Sequence, residues 1–197
     1  PTSICISIFG TPNPKGSLLR SGAKVGDGIF VSGTIGDAAL GLMLRGNRSL
    51  LCSSKENSYC ISRYRIPRPR IGLGLALGEV ASAAMDISDG LFQDLNHLCG
   101  ASDVGASVWA NKIPLSKEVN AFVTEHKFSI EQVITGGDDY ELIFTAPVTK
   151  EKSIFSMARA TKTRITRIGT VQSGREISVF DKNQDIIPVQ KGGYSHD

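Results

Sequence analysis

Met85-Asp86-Ile87-Ser88-Asp89-Gly90-Leu91 joins a short apolar run to an amphipathic helix. Residues 81–85 are small or apolar, as at the end of a buried segment, and Leu91, Leu95 and Leu98 recur at helical spacing. The two acids therefore lie at a predicted strand-to-helix junction, where exposed backbone N–H groups favour negative charge. This layout is typical of a site for a metal ion or a phosphate group.

The residues of this junction admit two interpretations. In the first, Ser88 or Asp89 caps the helix and Asp89-Gly90 forms a turn, with no chemical role. In the second, Asp86 and Asp89 hold a hard cation such as Mg²⁺, which binds one or two carboxylates together with phosphate oxygens and water. Capping accounts for only one of the two acids, and the local sequence leaves both interpretations open.

A second acidic stretch, Thr135-Gly136-Gly137-Asp138-Asp139-Tyr140-Glu141, leads into the apolar run 142–145, which has the composition of a buried strand. The paired glycines allow close approach by a ligand, and the three carboxylates repel one another unless a cation lies between them. A solvated acidic turn is the alternative. Together, the two stretches predict a site that uses carboxylates to hold metal, phosphate or an organic cation.

Both acidic stretches, and Gly193-Tyr194-Ser195-His196 near the end of the chain, closely resemble the thiamine-monophosphate kinase family. Residues 21–27, 32–39 and 68–70 also match in the family's order, so the resemblance covers essentially residues 14 to 194. Aminoimidazole ribonucleotide synthetase, selenophosphate synthetase and a hydrogenase-maturation dehydratase share the family's fold. The Ile-Ser-Asp-Gly-Leu version of the motif at 87–91 points to the thiamine branch.

The resemblance implies ATP-dependent phosphorylation of thiamine monophosphate to thiamine diphosphate, by in-line transfer assisted by several Mg²⁺ ions. It implies Asp86 and Asp89 as Mg²⁺ ligands and Ser88 as a contact to the ATP phosphates. Asp138, where the family usually has Glu, and Tyr194 are the implied substrate contacts. Phosphoryl transfer needs positioning and charge neutralisation more than a protein nucleophile, and an acid with an aromatic ring suits a cationic thiazolium.

The resemblance also implies that the chain is the C-terminal part of a larger enzyme. Residues 1–13 would end the N-terminal domain or form a connecting strand, since residues 3–10 alternate like a strand. Residues 14–197 would form the C-terminal domain. The family keeps most of its metal-binding aspartates in the N-terminal domain, so we expect this chain to be inactive alone and the full-length protein to be a homodimer.

Hydrophobic periodicity predicts helices interleaved with strands, which indicates an α/β or α+β fold, and the resemblance selects α+β. The implied architecture is a mixed β-sheet covered by helices, as in the C-terminal domain of aminoimidazole ribonucleotide synthetase-like proteins. We expect helices at 37–44, 71–80, 116–126 and 150–160, strands at 28–32, 106–109, 142–145, 165–171 and 177–180, and a mobile polar loop at 46–58.

Composition leaves two alternatives from other classes. The net charge of +3 is small, but six basic residues between 150 and 167 leave a nucleic-acid-binding module possible, although no recognition motif accompanies them. A sister ATP-dependent enzyme acting on another small substrate is the second alternative. No apolar run approaches the length of a membrane span and no cysteine pair has metal-binding spacing, so we expect a cytoplasmic protein without membrane or nucleic-acid partners.

Overall fold

The computed structural model describes residues 3–11, 17–46 and 54–189, with only the backbone of 54–57. Six strands and seven α-helices lie within these residues, and they confirm the expected α+β class. In chain order the elements are β1 (Gly28–Ser32), α1 (Asp37–Gly46), α2 (Ser54–Arg65), α3 (Ile71–Leu77), β2 (Ala83–Ile87), α4 (Leu91–Ser102), β3 (Gly105–Trp109), α5 (Lys117–Thr124), α6 (Ile130–Thr135), β4 (Glu141–Ala146), α7 (Glu151–Ala160), β5 (Ile165–Gln172) and β6 (Ile177–Phe180).

The six described strands form one sheet in the order β2-β4-β1-β5-β3-β6. Strands β3 and β6 are parallel and every other neighbouring pair is antiparallel, so the sheet is mixed as expected. On β2 and β4, Asp86 lies opposite Leu142 and Ile87 lies opposite Glu141. The antiparallel register therefore brings the end of β2 and the start of β4 to the same end of the sheet, and the two acidic stretches with them.

Two apolar clusters lie on opposite faces of the sheet. Alternate side chains of a strand point to opposite faces, and on β1 Ile29 and Val31 enter the larger cluster while Phe30 enters the smaller one. The larger cluster includes side chains from α1, α4 and α6, and the smaller one includes side chains from α3 and α7. Phe30 stacks on Phe144 with ring centroids 5.2 Å apart. The helices that flank the acidic loops are thus fixed on the larger core.

Two helices differ from the sequence expectation. Helix α2 begins at Ser54, where a polar loop was expected, and residues 47–53 of that loop lie outside the described part of the chain. Helix α6 was not predicted, although its start is marked by a capping box in which Ser129 and Gln132 hydrogen-bond each other's backbone N–H groups. Cys60 and Arg63 of α2 are buried, so tertiary packing stabilises a helix of low apolar content.

The strand expected over residues 3–10 is not formed within the described residues 3–11. Ile4, Ile6 and Ile8 alternate in sequence, but their exposed fractions are 84%, 81% and 89%. A strand needs a neighbour for its backbone N–H and C=O groups, and none of the described strands pairs with this segment. Among the described residues, no helix combines the length and apolar character needed to cross a membrane.

Candidate functional site

The junction between β2 and α4 is built around a side chain from inside the helix. Gly90 occupies the N-cap position with φ of 117° and contributes no side-chain cap. Instead, the Oδ2 atom of Asp94 accepts hydrogen bonds from the backbone N–H groups of Ser88 and Asp89, both at 3.0 Å. The interpretation in which Ser88 or Asp89 caps α4 is therefore wrong, and the Asp89 carboxylate takes no part in the cap.

The loop between α6 and β4 is tied directly to this junction. The backbone N–H of Asp138 donates to the carbonyl oxygen of Ser88 at 2.8 Å, and that of Tyr140 donates to the carbonyl oxygen of Ile87 at 2.8 Å. Asp138 and Tyr140 both have positive φ, 69° and 49°. At Gly137 an added Cβ would overlap the carbonyl oxygen of Ser88. The two acidic stretches thus form one backbone unit in which Asp138 lies beside the junction.

We expect Gly137→Ala to destabilise the chain by about 1–3 kcal/mol, because the new methyl group must push the two loops apart. The measurement is the free energy of unfolding from urea denaturation. Gly72→Ala is the matched control, since Gly72 lies in helix α3 and no heavy atom of the described part of the chain lies within 4 Å of an added Cβ. That control should be neutral or stabilising by up to about 1 kcal/mol. Equal stability of both variants would contradict the close contact.

The three carboxylates of the second stretch do not share one site. Asp139 is buried and accepts hydrogen bonds from the backbone N–H groups of Gly36 at 2.7 Å and Ala38 at 3.1 Å, at the start of α1. Glu141 is also buried, and its partners are Ser32 Oγ at 2.6 Å, Arg63 Nη2 at 2.9 Å and Arg70 Nε at 2.6 Å. Asp139 and Glu141 are therefore satisfied inside the protein, and only Asp138, the acid of this stretch assigned to the site from sequence, remains at the junction.

The buried Asp139 makes stability depend on pH. Burial raises the pKa of Asp139 to about 7, although the backbone hydrogen bonds from Gly36 and Ala38 oppose this rise. The folded protein then holds a proton that the unfolded chain releases near pH 4, so we expect the free energy of unfolding to fall as pH rises from about 4 to about 7. The slope from this group is at most about 1.4 kcal/mol per pH unit. A carboxyl ¹³C titration of Asp139 with a midpoint below 4 would contradict this expectation.

Four carboxylates remain at the junction, those of Asp86, Asp89, Asp94 and Asp138, and the pKa values of Asp94 and Asp138 are raised. Burial, followed by the charge of Asp89, raises the pKa of Asp138. Burial raises the pKa of Asp94 to about 6, and the charges of Asp89 and Asp86 act in the same direction. The hydrogen bonds from the backbone N–H groups oppose this rise. Burial and the charges of Asp138, Asp86 and Asp89 also raise the pKa of the Tyr140 hydroxyl. This mutual repulsion is what a bound cation would relieve.

The structure therefore brings together four of the five site residues expected from sequence. Asp86 is exposed on the edge strand β2, while Ser88, Asp89 and Asp138 are half-buried around the junction. Carboxylate oxygens in this arrangement are the ligands that Mg²⁺ prefers, so the residues present fit that ion. Tyr194 lies outside the described residues.

Asp94 and His97 were missed. They lie one turn apart on α4, and one ligand atom from each falls within 4.8 Å of the other and of one from Asp89. Their spacing of i and i+3, directly after the motif, was the available signal.

The fold and this site correspond to a defined class of protein. Residues 24–182 match the family described as AIR synthase related protein, C-terminal domain, and the chain belongs to that family. Within this class the chain is similar to proteins named thiamine-monophosphate kinase. The one from Buchnera aphidicola subsp. Schizaphis graminum is 37% identical over 203 residues, which include 100% of this chain and 60% of that protein.

Solved structures show the same likeness. The crystal structure of thiamine-monophosphate kinase from Stenotrophomonas maltophilia K279a is 36% identical, with a TM-score of 0.76 over 82% of this chain and 52% of that one. A structure described as AaThiL complexed with AMPPCP and TMP is 34% identical, with a TM-score of 0.76 over 91% of this chain and 54% of that one. The chain spans about 60% of the length of the curated relatives it matches.

Proposed function

We propose that this chain is the C-terminal domain of an ATP-dependent kinase that phosphorylates thiamine monophosphate to thiamine diphosphate. The observation that carries the proposal is the junction itself, where backbone hydrogen bonds bring Asp89 of the first motif next to Asp138 of the second. The relatives named for this activity support it, as does the neighbouring structure that holds AMPPCP and TMP. The reaction class is in-line phosphoryl transfer.

In this proposal, Asp86 and Asp89 hold Mg²⁺, and Ser88 contacts the phosphates of ATP. When bound, Mg²⁺ neutralises charge on the nucleotide phosphates during transfer. The chain's own contribution is positioning: Asp94 fixes the backbone of Ser88 and Asp89, and the bond from Asp138 to Ser88 fixes the substrate side of the site. A side chain that acts as a nucleophile is not needed.

The proposed substrate contact is Asp138. Its carboxylate is half-buried and faces the other acids rather than a basic partner among the described residues, so a cationic ligand would relieve its repulsion from Asp89. The thiazolium of thiamine monophosphate carries such a positive charge. Tyr194 would supply an aromatic face to the same ligand.

The rest of the site is assigned to a preceding domain. We propose that residues 14–197 form the C-terminal domain, that residues 1–13 connect it to the N-terminal one, and that the full-length protein is a cytoplasmic homodimer. The greater length of the relatives supports the presence of a further domain. In this organisation the N-terminal domain supplies the remainder of the ATP site, so the chain alone should have no turnover.

We expect Asp138→Asn, in the full-length protein, to raise KM for thiamine monophosphate about 10-fold while KM for ATP changes little. The substitution removes the charge that faces the thiazolium, and a charge-assisted contact of this kind contributes about 1–3 kcal/mol. Asparagine tolerates the positive φ of 69° at this position, so the loop should keep its shape. The measurement is steady-state kinetics with each substrate varied in turn.

Two further variants complete this test. Asp138→Glu restores the side chain that the family usually has, and it should keep KM for thiamine monophosphate close to the original value. Asp103→Asn is the matched control, since Asp103 is an exposed aspartate that also has positive φ, 52°, and lies at the opposite end of α4. An Asp138→Asn enzyme with unchanged KM for thiamine monophosphate would remove this residue from the substrate site.

A further inference from the structure

We propose that Asp89, Asp94 and His97 form a binding site for a divalent transition-metal ion of the Zn²⁺ type. This inference goes beyond the proposed kinase reaction, because that reaction gives neither the imidazole of His97 nor the buried carboxylate of Asp94 a role in metal binding. It concerns metal binding by the chain itself, so its test needs neither nucleotide nor thiamine monophosphate.

The geometry of the three side chains is close to that of a metal site. One ligand atom from each lies within 4.8 Å of the other two. Ligands that share a zinc ion at about 2.0–2.2 Å are roughly 3.4 Å apart in a tetrahedral arrangement. His97 is exposed and Asp89 is only half-buried, so rotamer adjustments of these two side chains can close the gap.

The buried carboxylate of Asp94 supports a metal site independently of these distances. Its side chain is 1% exposed, and Oδ2 is held by the two backbone N–H groups at the junction. Oδ1 is buried and has no hydrogen-bond partner among the residues that the structure describes. An unsatisfied buried carboxylate oxygen is costly, and such groups in proteins are normally paired or bound to an ion. A metal ion between Asp94, Asp89 and His97 would satisfy it, while the backbone bonds to Oδ2 orient the ligand.

The ligand set indicates which kind of ion fits. Mg²⁺ prefers oxygen ligands and retains its water, whereas an imidazole nitrogen beside carboxylates suits zinc and its neighbours in the first transition row. The positive end of α4 opposes a cation, but Asp94 already accepts the N–H groups there and Asp86 and Asp138 add negative charge nearby. Three protein ligands leave a fourth position open to water or a phosphate oxygen.

The experiment is a zinc titration of the 197-residue chain, followed by calorimetry and by long-range ¹H–¹⁵N spectra of its three imidazoles. One equivalent of Zn²⁺ should bind and shift the ring nitrogens of His97, whereas those of His126 should not move. His97→Ala should weaken zinc binding at least about 10-fold, as should Asp94→Asn, which keeps the side-chain size. His126→Asn is the matched control, because His126 is exposed and its positive φ of 56° suits asparagine.

The thermal midpoint of His97→Ala should equal that of the original chain, because this side chain is exposed on the helix. Failure of the original chain to bind zinc, or zinc binding that His97→Ala leaves unchanged, would overturn the inference. These outcomes are separate from the fate of the kinase proposal. Zinc binding through His97 supports this inference even if the full-length protein makes no thiamine diphosphate. If the full-length protein makes thiamine diphosphate but the chain binds no zinc, only this inference is rejected.

Discussion

Asp89→Asn in the full-length protein should lower kcat/KM for Mg²⁺-dependent phosphoryl transfer by at least about 1,000-fold, equivalent to about 4 kcal/mol of lost transition-state stabilisation. Asparagine has nearly the same volume but no charge with which to hold Mg²⁺. The backbone N–H of residue 89 still donates to Asp94, so the junction should keep its geometry. The measurement is steady-state release of ADP at saturating Mg²⁺.

Asp103→Asn is again the control, because it removes a carboxylate from α4 at the end far from the junction. Asp103 is exposed and pairs only with the exposed Arg175 among the described residues, so its loss should leave turnover within about twofold. An Asp89→Asn enzyme that keeps more than about a tenth of the original kcat/KM would contradict the metal role.

Glu141→Ala should lower the free energy of unfolding of the chain by about 3–5 kcal/mol. Glu141 is fully buried and receives hydrogen bonds from Ser32, Arg63 and Arg70. Arg63 is itself buried, and its other ion-pair contact is to Asp37 at 3.8 Å. Removing the glutamate leaves a buried guanidinium without its nearest counter-charge, and urea denaturation measures the consequence.

The matched control for Glu141→Ala is Arg175→Ala, which breaks an exposed ion pair to Asp103 at 2.7 Å. Exposed pairs contribute about 0–1 kcal/mol, so this variant should be nearly as stable as the original chain. Similar losses from Glu141→Ala and Arg175→Ala would show that the buried network does not stabilise the fold.

Local pattern was enough to predict much of the fold. The apolar run before Asp86 and the leucines after it gave the strand-to-helix junction, which the structure has as β2 and α4. The run 142–145 proved to be the interior of β4, between Glu141 and Ala146. Ser129 and Gln132 also carried a readable signal, a capping box, for the missed helix α6.

Sequence did not separate the roles of neighbouring acids, because their partners are distant in the chain. Asp139 binds the start of α1, about 100 residues away, and Glu141 binds Arg63 and Arg70, more than 70 residues away. The sequence alone showed only that both lie in an acidic stretch beside Asp138. The burial of Arg63 against Glu141 is likewise visible only in the tertiary fold.

Asp94 is a further residue whose role could not be identified from sequence. On sequence it is one polar residue in an amphipathic helix, whereas in the structure it caps the motif that precedes it. This contact between a helix residue and the backbone before the helix depends on the path of the chain through Gly90. The φ of 117° at Gly90 cannot be predicted from helical periodicity.

The most direct test of the account is chromatographic detection of thiamine diphosphate from thiamine monophosphate and MgATP. The full-length protein should form thiamine diphosphate and ADP in equal amounts, and the 197-residue chain alone should form neither. A folded full-length protein that binds ATP but makes no thiamine diphosphate would contradict the account, as would turnover by the chain alone.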